Sequence, residues 1–201
     1  MKMLWYVLVT VTIVAAPGAA QASEAKCRAI ARQEHPNDLQ MQRFVYRQQI
    51  SASRYMSRVR DAEVKEIAVR EHPEDFVMQK FTYDQQSAAK RYMKTVRDAQ
   101  VKRIALREYP ADYVMQKFTY DQQFAAKNYM ATVSDAEVKR IALREYSADF
   151  VMQKFAYDQQ LSAKLYMAEM PNGPTKRRAI REYPHDYVMQ KFSYDQARAG
   201  R

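Results

Sequence analysis

Apolar residues recur at helical spacing along most of the chain. One stripe, spaced i, i+3, i+7, i+10, i+11, i+14 and i+18, consists of Met115, Phe118, Gln122, Ala125, Ala126, Tyr129 and Val133. This spacing follows one face of a 3.6-residue helix. A shorter stripe of Val101, Ile104, Ala105 and Glu108 precedes it. The pattern predicts a short helix followed by a long one, with Met115, Phe118, Tyr129 and their equivalents in the core.

Turn signals lie at both ends of the long helix. Pro110 disfavours helix in the residue before it and suits the first turn of a new helix. Asp112 is expected to cap the long helix or to lie in its first turn. Further on, Ser134 and Glu137 have the spacing of a capping box, which favours a turn before the next short helix. We expect helices of about 12 and about 20 residues.

This helix pair belongs to a unit that recurs every 37 residues. The segment from Arg70 to Gln86 returns at Arg107, Arg144 and Arg181, and a diverged copy begins at Gln33. Two helices of this size cannot bury their apolar faces alone, but stacked neighbours can. The sequence therefore predicts an all-α fold, a short α-solenoid of five 37-residue helix-turn-helix repeats over residues 23–201 with a truncated last repeat.

The first 22 residues have the layout of a secretory signal peptide. Lys2 precedes an apolar run from Met3 to Ala16, and Ala20 and Ala22 are small residues suited to signal-peptidase cleavage. A membrane anchor would need about 20 apolar residues, which is longer than this run. We expect an exported protein, periplasmic or extracellular, that begins at about Ser23.

A second row recurs on another face of the long helix, at i, i+4, i+7 and i+11. Tyrosine rings stack and amides both donate and accept hydrogen bonds, so such a row suits a glycan or an extended peptide. The alternative is that the row attaches one repeat to the next. The candidate ligand row, called here the glutamine–tyrosine row, comprises Gln79, Tyr83, Gln86, Lys90, Gln116, Tyr120, Gln123, Lys127, Gln153, Tyr157, Gln160 and Lys164.

Charge adds a second hypothesis, because the chain carries a formal net charge of +10. Basic residues recur at Lys80, Lys117, Lys154 and Lys191 and at Arg70, Arg107, Arg144 and Arg181. Each of these lysines has an aspartate four residues on, which neutralises part of the charge. The basic rows are either solvated surface or a strip that binds anionic lipid, lipopolysaccharide or nucleic acid.

Catalytic and cofactor chemistry finds little support in the sequence. Glu108 and Asp112 could form a carboxylate pair for hydrolysis of cell-wall polymers, but their recurrence at every turn argues for a structural role. His35, His72 and His185 lack metal-ligand spacing, and no glycine-rich phosphate loop occurs. We therefore expect a non-catalytic protein without a cofactor, with no specific nucleic-acid motif and with homo-oligomerisation left open.

The lone cysteine, Cys27, aligns with Val64, Val101 and Val138 of later units. This alignment predicts a small buried hydrophobe. A disulfide between two chains is the alternative. The alanine shared by all copies, at 31, 68, 105, 142 and 179, predicts a close approach of two helices.

The segment from Arg107 to Phe118 resembles a motif of small, uncharacterised exported bacterial proteins, Glu-Trp-Pro-x-Asp-Tyr/Phe-x-Met-Gln-x-Tyr-Cys. The resemblance covers the mature chain five times over and implies a bacterial envelope protein without a known activity. Two positions depart from the motif. His35, His72, Tyr109, Tyr146 and Tyr183 replace the tryptophan, and Val45, Thr82, Thr119, Ala156 and Ser193 replace the cysteine, which removes any thiol role there.

Overall fold

The chain is all-helical over residues 17–199, which are the residues that the computed structural model describes. After a first helix of 18 residues, long and short helices alternate at the 37-residue period, with the following bounds. They are α1 Pro17–Glu34, α2 Leu39–Arg58, α3 Ala62–Glu71, α4 Phe76–Thr95, α5 Ala99–Glu108, α6 Tyr113–Thr132, α7 Ala136–Glu145, α8 Phe150–Glu169, α9 Pro174–Glu182 and α10 Tyr187–Ala199. The prediction of an all-α fold built from helical pairs is confirmed.

The helices group into two compact units, one ending at Ala88 and the other beginning at Ala89. In the first, α1 packs on α2. In the second, each short helix packs on the long helix that follows it, and α6, α8 and α10 pack consecutively side by side. Consecutive packing of equivalent helices is the arrangement of an α-solenoid.

Aspartate begins most of the helices. Asp112 caps α6 by accepting the Met115 N–H at 3.0 Å, as the sequence predicts. The short helix α7 begins in the same way, with Asp135 accepting the Val138 N–H at 3.0 Å. Ser134 therefore does not provide the cap, and the capping-box prediction is wrong in its residue although right about the turn. Gly173 takes the cap position of α9 and supplies no side-chain bond.

The core lies between consecutive repeats. One cluster joins Met130 of α6 to Val138 and Ala142 of α7 and to Ala156 and Tyr157 of α8. Equivalent residues from the preceding repeat, including Met93 and Val101, form a second cluster. Because each cluster draws on two repeats, a single helix pair cannot bury it, which is the physical reason for an array.

The face of the long helix that packs inward differs from the prediction. Phe118 is 56% exposed and Tyr129 is 36% exposed, so the predicted core stripe of the long helix is wrong for both. The buried side chains of α6 are Gln116, Thr119, Tyr120, Gln123, Ala126 and Met130. Helical periodicity identifies a face but does not say which face has hydrogen-bonding partners, and here the amide-bearing face has them.

Two smaller predictions are confirmed. Cys27 is fully buried, and burial raises the pKa of its thiol. The recurring alanine is buried in every copy, from 0% to 2% exposed. The predicted signal peptide falls largely on residues 1–16, outside the described residues, and the predicted cleavage point after Ala22 lies within α1.

Candidate functional site

The structure places the glutamines and tyrosines of the glutamine–tyrosine row in the interior. Gln116 is 1% exposed, Tyr157 is 2% exposed, and all nine of these side chains are at most 8% exposed. A ligand on the folded surface cannot reach them. The prediction that they form a ligand surface is therefore wrong, and the alternative of attachment between helices and repeats accounts for their contacts.

The first glutamine of the row closes the turn inside its own repeat. The Nε2 atom of Gln116 donates to the carbonyl oxygen of Tyr109 at 2.7 Å, and Gln153 donates to that of Tyr146 at 2.6 Å. These carbonyls lie at the end of a short helix, where no intrahelical donor is left for them. The glutamine thus fixes the angle at which the long helix leaves the short one.

The second glutamine grips the start of the next long helix. Gln123 donates from Nε2 to Asp149 Oδ1 at 2.9 Å, and its Oε1 accepts the Phe150 N–H at 2.8 Å. Gln160 makes the same two bonds to Asp186 and Tyr187. Each glutamine thus bonds both the cap residue and the first free N–H of the long helix in the following repeat. We call this pair of bonds the glutamine clamp.

The tyrosine of the row packs against a second tyrosine from the preceding repeat. Tyr157 meets Tyr129 edge to face, with ring centroids 6.2 Å apart. Its hydroxyl oxygen accepts the Asp135 N–H at 3.3 Å. The ring therefore contributes both to the contact between long helices and to the start of the short helix.

The lysines of the row lie nearer the surface than its glutamines and tyrosines. Lys127 and Lys164 are ion-paired there. Lys127 Nζ lies 2.7 Å from Asp98, and Lys164 Nζ lies 2.8 Å from Asp135 and 3.1 Å from Glu137. The hydrogen bond to Asp135 raises the pKa of Lys164, and the bond from Lys164 lowers the pKa of Asp135. Lys90 lies over the Tyr113 ring, 5.0 Å from its centroid.

A recurring three-residue contact uses the other lysine series. Tyr129 donates its hydroxyl to Asp158 at 2.6 Å, and Lys154 donates to the other oxygen of Asp158, also at 2.6 Å. Lys154 also lies 4.6 Å from the centroid of the Tyr129 ring. The hydrogen bond to Asp158 raises the pKa of Tyr129 to about 12. The same arrangement links the equivalents of Lys154, which are Lys80, Lys117 and Lys191.

The most exposed aromatic side chain of each repeat is the phenylalanine that the periodicity places in the core. We call it the phenylalanine position, and its exposed fraction lies between 53% and 56% in all copies: Phe44, Phe81, Phe118, Phe155 and Phe192. One helical turn later stands an exposed glutamine, such as Gln122 or Gln159. Sequence reasoning missed this surface because it equated apolar with buried. The signal for it was the recurrence on the opposite face of the first amide in all five repeats and of the second in four.

Within the second unit these phenylalanines lie on neighbouring helices. Phe118, Phe155 and Phe192 occupy the same position of α6, α8 and α10, which pack consecutively. Axes of packed helices lie about 8–10 Å apart. On α6 and α8, valine and methionine lie one turn before the phenylalanine, and one turn after it lie a glutamine and an aspartate that is ion-paired to a lysine.

A surface cleft adjoins Phe155. It has a volume of about 370 Å³ and is lined by Phe155 and Gln159 of α8, Val188 and Met189 of α10, and the end of α7 at Tyr146. Clefts of this size accept a large side chain or a small ligand. Apolar and amide groups line most of it, with the carboxylates of Glu145 and Asp186 at its margin.

The remaining candidates do not assemble into a site. The carboxylate of Asp112 is used in capping α6, and the Glu108 side chain is exposed beside it. Over residues 17–199, no three His, Cys, Asp or Glu side chains are grouped so as to hold a metal ion. No helix in the same range is both long and apolar enough to cross a membrane.

Comparison with known proteins finds no matching family model, no matching curated protein and no matching solved structure. The resemblance to the exported bacterial motif therefore stays a prediction.

Proposed function

We propose that this chain is an exported, non-catalytic repeat protein that binds a polypeptide partner through the phenylalanine position. The single observation behind the proposal is that a phenylalanine more than half exposed stands at one register in every repeat. Exposing the apolar surface of a large aromatic side chain to water costs about 25 cal/mol per Å². Contiguous exposed apolar surface marks interaction sites in soluble proteins.

Regular spacing supports a partner that is itself extended along the array. The axes of packed helices generally lie about 8–10 Å apart, and an extended strand rises about 3.3 Å per residue. Every third residue of such a partner would therefore meet a new phenylalanine. The cleft beside Phe155 would accept one apolar side chain, and Gln159 at its edge would bond the partner's backbone.

The use of the acidic side chains supports a non-catalytic role. General acid–base chemistry by two carboxylates relies on an enclosed site that separates their pKa values. The carboxylate of Asp149 caps α8 and bonds Gln123 of the preceding repeat. The carboxylate of Asp158 bonds Lys154 within α8 and the Tyr129 hydroxyl of the preceding repeat.

Export is the second part of the proposal, and it rests on the signal-peptide pattern of residues 1–22. Cleavage after Ala22 would shorten α1 but keep Cys27 and Ala31, the two side chains of α1 that are buried among those described. The mature protein would then still fold. Mass spectrometry of protein secreted by its own host should find an N-terminus at about Ser23, and a full-length product inside the cell would contradict export.

Site-specific photocrosslinking tests the binding surface. A photoreactive phenylalanine analogue at position 118 or 155 should capture the same partner in the native compartment. At Arg140, an exposed residue of α7, it should capture none of that partner. Phe155→Ala should then remove the crosslink formed from position 118. Equal capture from all three positions, or capture of a glycan instead of a polypeptide, would contradict the proposal.

A further inference from the structure

The outer face of the short helices carries arginines on both sides of an exposed aliphatic residue. In α7 the side chains of Arg140, Leu143 and Arg144 are exposed, as are Ala136 and Glu145 at the two helix ends, while Val138, Ile141 and Ala142 are buried. The pattern repeats in α5 as Arg103, Leu106 and Arg107, and in α9 as Arg177, Ile180 and Arg181. The three aliphatic residues are 40% to 42% exposed. We call this surface the arginine face.

Among the described residues, the arginines of this face have no ion-pair partner, in contrast to Lys117, Lys154 and Lys164. Lys117, Lys154 and Lys164 each bond an aspartate at 2.6 to 2.8 Å. Within the part of the chain that the structure describes, no carboxylate is ion-paired to the guanidinium groups of Arg103, Arg107, Arg140, Arg144, Arg177 or Arg181. The nearest acid of α9, Glu182, pairs instead with Arg178 at 2.7 Å. The six arginines of this face are accompanied by three exposed glutamates, Glu108, Glu145 and Glu182, so the face keeps a net positive charge.

A surface cleft of about 250 Å³ lies in this region of the second unit. Arg140, Ile141 and Arg144 of α7 line it, together with Glu137 and with His185 from the turn before α10. The charge of Glu137 is already engaged, since its carboxylate bonds Lys164 at 3.1 Å and the Tyr187 hydroxyl at 2.7 Å. Two guanidinium groups therefore dominate the charge of the cleft.

We propose that the arginine face binds the surface of an anionic lipid bilayer. Guanidinium groups bond phosphate in a forked geometry, and basic residues near anionic lipid are attracted to it. The aliphatic residue between them would enter the interface between headgroups and acyl chains. The cleft between Arg140 and Arg144 would hold one headgroup phosphate.

The exposed aliphatic residue favours lipid over nucleic acid. Proteins that hold nucleic-acid strands without reading sequence combine basic residues with aromatic rings on which bases stack. The exposed side chains of α7 and α9 include arginine and an aliphatic residue but no aromatic ring. This surface is separate from the phenylalanine position, so the lipid-binding proposal does not depend on the proposed function.

Vesicle co-sedimentation of the purified chain tests the proposal. The protein should bind vesicles of phosphatidylglycerol and phosphatidylethanolamine and should not bind vesicles of phosphatidylcholine alone. The double variant Arg140→Gln/Arg144→Gln should lower the partition coefficient by at least about tenfold, given roughly fivefold per basic residue. Arg103→Gln/Arg107→Gln makes the same test one repeat earlier, should the first variant lose its thermal unfolding transition.

Two further variants separate lipid binding from general charge. Arg91→Gln/Lys94→Gln removes the same charge from the long helix α4 and should change binding less than about twofold. Leu143→Gln keeps the charge and should weaken vesicle binding several-fold while leaving binding to heparin unchanged. The proposal is overturned if anionic vesicles are not bound, if the α4 control weakens binding as much as the α7 variant, or if Leu143→Gln has no effect.

Discussion

At the scale of single residues, the amide side chain explains why glutamine can occupy the interior of this protein. It carries a donor and an acceptor, and the end of a neighbouring helix offers a complementary pair. In the glutamine clamp, Gln123 satisfies both the cap Asp149 and the N–H of Phe150. An unsatisfied buried polar group costs about 1–3 kcal/mol, so these bonds are needed once the amide is buried. Gln116 is less complete, because its Oε1 has no hydrogen-bond partner among the described residues.

The tyrosine that binds Asp158 gives the first prediction. Its pKa in the folded protein is about 12, above the value of about 10 in an unfolded chain. The stability that this bond contributes is therefore complete below pH 10 and is lost as the pH rises through 12. The tyrosinate absorbance of the wild type minus that of Tyr129→Phe reports the ionisation of Tyr129. In a spectrophotometric titration of the native protein, this difference should have its midpoint near pH 12. In urea the midpoint of this absorbance difference should lie near pH 10. A midpoint near pH 10 in both states would contradict the raised pKa of Tyr129 in the folded protein.

At the scale of helices, the sequence predicted where the helices lie along the chain, but it did not predict which face of the long helix packs inward. Pro110 and Asp112 in the turn before α6 located Asp112 as a cap, and the alanine of the short stripe located Ala105 in the core. The orientation of the long helix could not be obtained in the same way. Its inner face is defined by bonds from Gln123 to a helix 26 residues away, and periodicity carries no information about such partners. Phe118 and Gln116 lie on nearly opposite sides of the helix. The face that was predicted to lie in the core is therefore the exposed one.

The cap of α9 gives the second prediction. Gly173 has a φ of −140°, an extended conformation open to any residue, and an added Cβ would meet nothing within 4 Å. Gly173→Asp should therefore restore the cap that Asp98 and Asp135 provide in other repeats. We expect a gain of a few tenths of a kcal/mol in the free energy of unfolding, measured by urea denaturation.

Asn172→Asp is the matched control for Gly173→Asp, since it adds the same charge one residue before the cap. It should give a smaller gain. Equal gains from the two variants would mean that the helix responds to charge alone and not to a side-chain cap.

At the scale of the whole chain, charge and repetition set how stability depends on pH. Hydrogen bonds from Lys127 and Lys164 lower the pKa values of Asp98 and Asp135 below that of a free aspartate, and Lys191 does the same for Asp195. A lowered carboxyl pKa contributes stability above the unfolded pKa, and this contribution is lost as the pH falls through the folded pKa. The bonds that Lys127 and Lys164 make to the starts of short helices, and the bond of Lys191 within α10, are therefore weakened together in acid.

Acid denaturation gives the third prediction. The difference in unfolding free energy between the wild type and Asp135→Asn should be largest at pH 6 and should shrink steadily from about pH 4 downward. Urea titrations at several pH values measure it. A difference that stays constant from pH 6 to pH 3 would show that Asp135 contributes nothing through its charge.

The central claim is that the amide-bearing face of the long helix holds the repeats together while the phenylalanine position is free for a partner. Comparing Gln123→Ala with Phe118→Ala by urea denaturation tests it most directly. We predict that Gln123→Ala lowers the free energy of unfolding by about 1–3 kcal/mol, since it leaves the Asp149 cap and the Phe150 N–H without their partner. Phe118→Ala should lower it by no more than about 1 kcal/mol, as for a surface substitution. A loss of about 3–5 kcal/mol for Phe118→Ala, typical of a core phenylalanine, with no loss for Gln123→Ala would contradict the account.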